Sequence, residues 1–392
     1  MASVAPLPPR SFGARRPPLG QGKVRILPER LLYDPPLESF DARTQDDPVS
    51  IAMKLSIIDQ CPVPAGFTSA DAFRNTIELA RLADHLGYER YWIAEHHATG
   101  AFASPAPEVL IARVGAETSH IRVGSGGVML PHYSPMKVAE SFRVLHALYP
   151  GRIDLGIGRA PGGSPLDSFA LRRDRNSQQT EDDFPKQLLE LIAFLHGGFR
   201  PDHAFSRIEL SPAMPGAPEV WLLGSSMWSA AAAAQLGLPY AFAHFIDPTH
   251  TRAAIEYYRT HFKPSNELSV PTAILGISAI CAPTDAEAQR MASSVRLFVR
   301  HARQGMRGPI PTPEQALAEL GPGPLPADVM MRETGEWPRA IIGTPDHVRD
   351  TLVDIASVLH LDEVMLVTVV HDHRARLRSH ELLAQAFNLT AR

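Results

Sequence analysis

Residues 121–158 read IRVGSGGVMLPHYSPMKVAESFRVLHALYPGRIDLGIG. Two short apolar runs, Ile121–Met129 and Ile153–Gly158, enclose a stretch whose apolar positions Val138, Phe142 and Leu145 recur at helical spacing. Ser134 stands where an N-cap belongs, Pro135 fits the first turn, and Pro150-Gly151 stops the helix. A strand, a helix and a second strand in this order form a crossover unit, which makes the two strands parallel neighbours.

The same alternation extends in both directions. Further strand candidates are Ala52–Asp59, Arg90–Glu95, Val220–Gly224, Tyr240–Phe245, Ala273–Ile280 and Glu363–Val370, each followed by a helix candidate. The first helix has Thr68 as N-cap with Asp71 three residues on, an apolar stripe of Leu79, Leu82, Ala83 and Leu86, and Gly87 to end it. The last spans Arg374–Phe387. Eight consecutive units predict an α/β fold, a (β/α)8 TIM barrel with insertions after strands 4 and 7. A doubly wound open sheet would carry a G-x-G-x-x-G turn. Here Gly124 and Gly126 are followed by Met129, and Gly156 and Gly158 by Pro161, so that fingerprint is absent.

The insertion at 162–180, with Arg172, Arg173, Asp174 and Arg175, follows strand 4 on the reactive face of such a barrel and is expected to act as a lid. The insertion at 304–343 is rich in Pro and Gly around Gly321–Pro324 and is expected to shape the pocket mouth. Residues 1–50, with Pro6, Pro8, Pro9, Arg10, Arg15 and Arg16, read as a disordered, flexible N-terminal extension ahead of one barrel domain at 51–392. A basic docking or targeting arm, or a true start at Met53, are the alternatives for this tail.

The 38 Lys and Arg against 42 Asp and Glu leave a formal charge of -4, without the basic excess a nucleic-acid binder needs. No run approaches the roughly 20 apolar residues of a membrane span, and no secretory h-region opens the chain, so a cytoplasmic protein is expected. Cys61 and Cys281 are the only cysteines, too few for a disulfide framework and not in C-x-x-C spacing.

In a barrel the chemistry sits where the strands end. The strand-two end, Tyr91-Trp-Ile-Ala-Glu-His-His97, places a carboxylate and two imidazoles there, and His96 is the candidate acid/base; a histidine merely packed under a loop is the alternative. His96 and His97 are adjacent and lack a spaced partner set, so no metal is expected. Gly126 and Gly127 remove side chains from a buried strand, either to admit a flat ring or to form a bulge. After strand 5, Ser225, Ser226 and Ser229 gather at a helix N-terminus, which suits an anion such as phosphate or simply caps the helix. Arg159 offers a matching positive charge.

Taken in order, Tyr91–His97, Gly124–Pro131, Tyr149–Gly163 and Ile342-Gly-Thr-Pro345 resemble the bacterial luciferase-like flavin monooxygenase family, over roughly residues 52 to 388. The resemblance implies a TIM barrel that takes reduced FMN from a separate flavin reductase and uses molecular oxygen to oxidise a small organic substrate. It implies that His96 is the catalytic histidine, a role that suits an imidazole with the near-neutral pKa expected of histidine, and that Gly126 and Gly127 are joined by a cis peptide beside the flavin. It further implies that Ser226 and Ser229 hold the FMN phosphate near Arg159, and that the protein is a homodimer. Gly158 and Ser134 stand where light-emitting members have a cysteine and a second histidine, which points to the non-luminous branch. The competing readings are hydride transfer with a deazaflavin coenzyme, a non-catalytic flavin-binding protein, and a metal-dependent barrel hydrolase.

Overall fold

The computed structural model describes residues 53–159, 164–171, 183–321 and 336–392. The N-terminal extension and the Arg172–Arg175 cluster lie outside the described residues. Strands β1 (Lys54–Asp59), β2 (Arg90–Ile93), β3 (Arg122–Met129), β4 (Ile153–Gly158), β5 (Glu219–Gly224), β6 (Tyr240–Ala243) and β7 (Ala273–Cys281) alternate with helices. The helices between them are α1 (Ser69–Leu86), α2 (Pro107–Glu117), α3 (Pro135–Leu148), α4 (Pro165–Leu171), α5 (Asp183–His196), α6 (Met227–Leu236) and α7 (Thr251–Thr260). After β7 come α8 (Asp285–Arg303), α9 (Pro313–Leu320), β8 (Ala340–Gly343), α10 (Pro345–Leu359), β9 (Glu363–Val367) and α11 (His373–Ala386).

All strand pairings are parallel, and the ladder runs from β1 through β6 to β7, then β9 and back to β1, which closes an eight-stranded barrel. Each apolar run of the sequence became a barrel strand. Strands β2 and β6 end before their runs do: Ala94 and Phe245 each keep one backbone hydrogen bond to a neighbouring strand, and the chain turns there to form the barrel mouth. The sequence reading did not anticipate β8. It lies in the post-strand-7 insertion and pairs Ser278–Cys281 of β7, where that long strand extends past its barrel neighbours.

The helix ends follow their local chemistry. Thr68 and Asp71 form a reciprocal capping box on α1, and Gly87 ends it at φ +86, in the left-handed region where glycine carries no Cβ penalty. Ser134 occupies the N-cap of α3 as expected, but its side chain makes no capping hydrogen bond.

Alternation divides the core. Odd residues of β1 and β2, such as Leu55, Ile57, Tyr91 and Ile93, pack outward on the helices. Ile58 and Trp92 point inward and meet Trp221, Ile274 and Met365. The lower end of the barrel is polar: the buried Arg90 guanidinium donates to Asp154 at 2.9 Å and Glu363 at 3.1 Å, and stands 4.7 Å over the Trp221 ring. Trp92 Nε1 donates to the same Asp154 at 2.9 Å. This paired network seals the bottom, and the apolar layer above it is the floor on which a site can be built.

First and last units lock together through Asp59 and Arg376. The Arg376 guanidinium of α11 donates to Asp59 Oδ1 at 2.6 Å, while Thr76 and Tyr91 donate to Oδ2 at 2.7 and 2.6 Å. The Asp59 carboxylate also accepts the Cys61 N–H at 2.8 Å, and Cys61 takes φ +50, so the chain turns sharply at the top of β1. That turn carries Gln60 into the barrel mouth.

Candidate active site

A cavity of about 390 Å³ opens at the C-terminal ends of the strands, with Ile58, Trp92, Ile274 and Met365 as its floor. His96, Gly126, Gly127, Arg159, Ser225, Ser226 and Ser229, scattered over four βα units in sequence, all line this one cavity.

Inward alternation through Arg90, Trp92 and Ala94 continues to His96 beyond the end of β2, which is why its ring faces the cavity and that of His97 does not. His96 Nε2 lies 2.6 Å from Gln60 Oε1, so with the amide oxygen accepting, Nε2 carries the proton and Nδ1 keeps its lone pair. The backbone N–H of His96 donates to Ser104 at 2.9 Å, and its ring lies against Phe102 with centroids 4.6 Å apart. Burial, and secondarily the positive charge His97 can carry, push the His96 imidazole down to about 4. The near-neutral pKa expected from the sequence is therefore corrected: this enclosure keeps the ring neutral at physiological pH.

Glu95 and His97 serve the loop instead of orienting His96. Buried Glu95 accepts from Tyr133 at 2.7 Å, from the Met129 N–H at 2.9 Å and from His97 Nε2 at 2.6 Å. Three donors on one carboxylate tie the end of β2 to the turn after β3 and fix the cavity wall.

The Gly126-Gly127 peptide is cis. The β3–β4 register breaks between Ser125 and Val128, so the bulge and the open face are one feature. A Cβ on Gly126 would stand 2.6 Å from Ile58 Cδ1, and one on Gly127 2.8 Å from the carbonyl oxygen of Gly156. The second clash is with backbone, which leaves no side chain to yield.

At the other end of the cavity, Ser226 is the N-cap of α6 and makes no side-chain capping bond, so simple capping does not account for it. Arg159 stacks over Trp228 at 4.8 Å, beside these serines. Ser229 differs from expectation: its buried hydroxyl donates to the Ser226 carbonyl at 2.7 Å and lies 3.0 Å from the Tyr240 hydroxyl. It braces the first turn of α6, while Ser225, Ser226 and Arg159 line this end of the cavity.

Of the post-strand-4 insertion, α4 and its cap are described. Arg307 donates to Asp167 of α4 at 3.0 Å and to the Ala98 carbonyl at 2.9 Å, which straps α4 to the loop after β2. Gln60 and Phe102 were missed in the sequence. The available signal for Gln60 was a polar side chain on the inward face just past an apolar strand. Among the described residues no group of three His, Cys, Asp or Glu side chains is placed to hold a metal ion, and no helix is long and apolar enough to cross a membrane.

The cavity suits a flavin: an apolar floor of Ile58, Trp92, Ile274 and Met365, a wall where a Cβ has no room, and a helix N-cap without a side-chain capping bond beside a cation at one extremity. A family model described as luciferase-like monooxygenase matches residues 53–360. A luciferase-like monooxygenase of Escherichia coli is 39% identical over 330 residues, 83% of this chain and 95% of that protein. The N-acetyl-S-alkylcysteine monooxygenase of Bacillus subtilis is 34% identical over 336 residues, 85% of this chain and 98% of its own length. The crystal structure of apo-MsnO8 superposes with a TM-score of 0.80 at 51% identity, covering 87% of this chain and all of that one. With the family model spanning nearly the whole barrel, this chain belongs to the luciferase-like monooxygenase family.

Proposed function

We propose that this protein takes up reduced FMN, delivered by a separate flavin reductase, and uses it with molecular oxygen to oxidise a small organic substrate. The observation that carries the reading is the convergence of the α6 N-terminus, Arg159, the Gly126-Gly127 wall and His96 on one cavity. Ser225, Ser226 and Arg159 would hold the phosphate, and the glycines would admit the ring system. Bound there, reduced FMN supplies the electrons that activate oxygen. His96 Nδ1, held by the Gln60 bond, accepts and returns a proton at the oxygen end, while Trp92, Ile58 and Met365 exclude water beneath it.

The test is an anaerobic titration of the apoprotein with photoreduced FMN, followed by absorbance, and a parallel titration with a deazaflavin coenzyme. Saturable binding of reduced FMN and faster product formation on admitting oxygen support the reading; binding of the deazaflavin alone would sink it. Flavin binding without turnover of any substrate would instead mark a non-catalytic flavoprotein.

Arg159→Ala is expected to weaken FMN about tenfold, the scale of one charge-assisted hydrogen bond, while leaving riboflavin affinity unchanged. Equal losses for both flavins in a fluorescence-quenching titration would show that Arg159 does not meet the phosphate. We also infer a homodimer formed through α2 and α3, which expose Val109, Val144 and Leu148. Light scattering that gives a monomer mass at micromolar concentration would overturn it.

A further inference from the structure

Gln60 stands at the junction of two cavities. The second, of about 260 Å³, adjoins the first and shares Gln60 and Phe245 with it. Phe102, Ile280, Phe298, Val299 and Val367 are among its walls. Phe102, Phe298 and Val299 are only partly buried, so apolar surface is left for an occupant to cover. At the roughly 30 Å³ that one water takes up in the liquid, the space holds about eight heavy atoms. Arg296 and Arg339 also reach it, and both are engaged within the protein: Arg296 donates to Gln289 at 2.6 Å, and the charge of Arg339 acts on the Asp247 carboxylate. Neither calls for an anion, and the apolar walls decide what the pocket takes.

Two contacts tie this pocket to the chemistry next door. The Phe102 ring lies 5.5 Å from that of Phe298 and 4.6 Å from that of His96, so whatever rests on Phe102 in the second cavity rests on the ring that backs His96. Gln60 is the other link. It is 7% exposed, and its Oε1 is taken by His96 Nε2 at 2.6 Å, which turns the amide nitrogen away from the imidazole. Among the described residues the N–H groups of that nitrogen have no acceptor, although Gln60 lines both cavities. A buried amide donor is costly to leave unmet, and the oxygen of a neutral ligand would meet it.

We propose that the substrate is a neutral, mainly apolar molecule whose body lies in the second cavity against Phe102, Phe298 and Val299, and whose acceptor oxygen takes a hydrogen bond from Gln60 Nε2 at the junction. Gln60 then has two duties: its oxygen holds His96, and its nitrogen sets which end of the ligand, the oxygen-bearing one, is presented to the first cavity. Phe298 and Val299 set how long the apolar body can be. The pocket and its ligand class stand on the second cavity and Gln60; only the statement that this ligand is the molecule oxidised rests on the flavin reading.

The test is calorimetric binding of a series of straight-chain methyl ketones, from methyl propyl to methyl decyl ketone, to the full-length protein without flavin. Each added methylene is expected to tighten binding about fourfold. The gain should stop once the cavity is full, at about the octyl chain. It should continue to longer chains in Phe298→Ala, which enlarges the cavity, and disappear in Val299→Trp, which fills it. In Gln60→Leu every ketone should bind about fivefold more weakly, the scale of one neutral hydrogen bond, with the gain per methylene kept. Wild-type affinity that does not rise with chain length would overturn the proposal, and that series needs no variant to fold. A chain-length limit unmoved in both Phe298→Ala and Val299→Trp would also overturn it, since the chain would then lie in the first cavity. Unchanged ketone affinity in Gln60→Leu would overturn the assignment of the oxygen to Gln60. Failure of FMN to bind in the separate flavin titration would leave the chain-length dependence intact, so the two readings fail distinguishably.

Discussion

Replacing Arg376 by Met should destabilise the barrel by about 3–5 kcal/mol, the range for leaving a buried charge without its partner. Asp59 is fully buried, and burial alone would raise its carboxyl; the Arg376 guanidinium, with hydrogen bonds from Tyr91 and Thr76, outweighs that and holds it below the usual carboxylate range. A carboxyl depressed in the folded state contributes stability above its unfolded pKa, lost as pH falls through the lower folded value. In wild type the Asp59 contribution is therefore intact at neutral pH and lost only in strong acid. In Arg376→Met the largest of the lowering influences is removed while the desolvation remains, and Asp59 takes up a proton at higher pH. The gap between variant and wild type should be widest near pH 7 and narrow on acidification. Chemical denaturation at pH 7 and pH 4.5 checks both statements. The double change Asp59→Asn with Arg376→Met should recover part of the loss, because no uncompensated charge is left. A single variant as stable as wild type at pH 7 would show that the Asp59–Arg376 pair does not close the barrel.

The parts of this molecule that sequence could show are those governed by local rules. Apolar runs became barrel strands because burial on both faces demands continuous hydrophobicity, and Thr68, Asp71 and Gly87 marked helix ends because caps act within one turn. Strand β8 stayed hidden: Ala340-Ile-Ile-Gly343 is too short for periodicity and forms only because β7 outruns its barrel neighbours. The site was legible as residue types at strand ends, but its chemistry was not. Ser229 and Ser226 look equivalent in sequence; only the fold shows that one hydroxyl is spent on Ser226 and Tyr240. Gln60 carried no motif, and its role follows from the turn that Asp59 and Cys61 make around it.

The same turn joins stability to chemistry, and it sets the expectation for His96. Because enclosure pushes the imidazole down to about 4, His96 is neutral from mildly acid pH upward. Its protonation should therefore leave no step between pH 6 and 7 in the rate of substrate oxidation. A loss of rate from this group belongs near pH 4, where the charged ring can no longer accept a proton at Nδ1. His96→Ala should lower product formation by about a hundredfold or more, the usual scale for removing a positioned proton carrier. Its affinity for reduced FMN should change little, since the phosphate and glycine contacts remain. Gln60→Ala should cost less, on the order of tenfold, and it should move the acid limb of the pH profile: losing the Nε2 acceptor frees the imidazole to reorient. Gln60 is thus a positioning residue, and the pH shift separates that role from a merely structural one. The measurement is product formed per reduced FMN consumed, taken from pH 4 to 9 in wild type and both variants. A wild-type inflection near pH 6.5 that vanishes in His96→Ala would overturn the neutral-ring assignment. Unchanged product yield in His96→Ala would remove His96 from the chemistry and leave the Gln60–His96 bond as part of the loop alone.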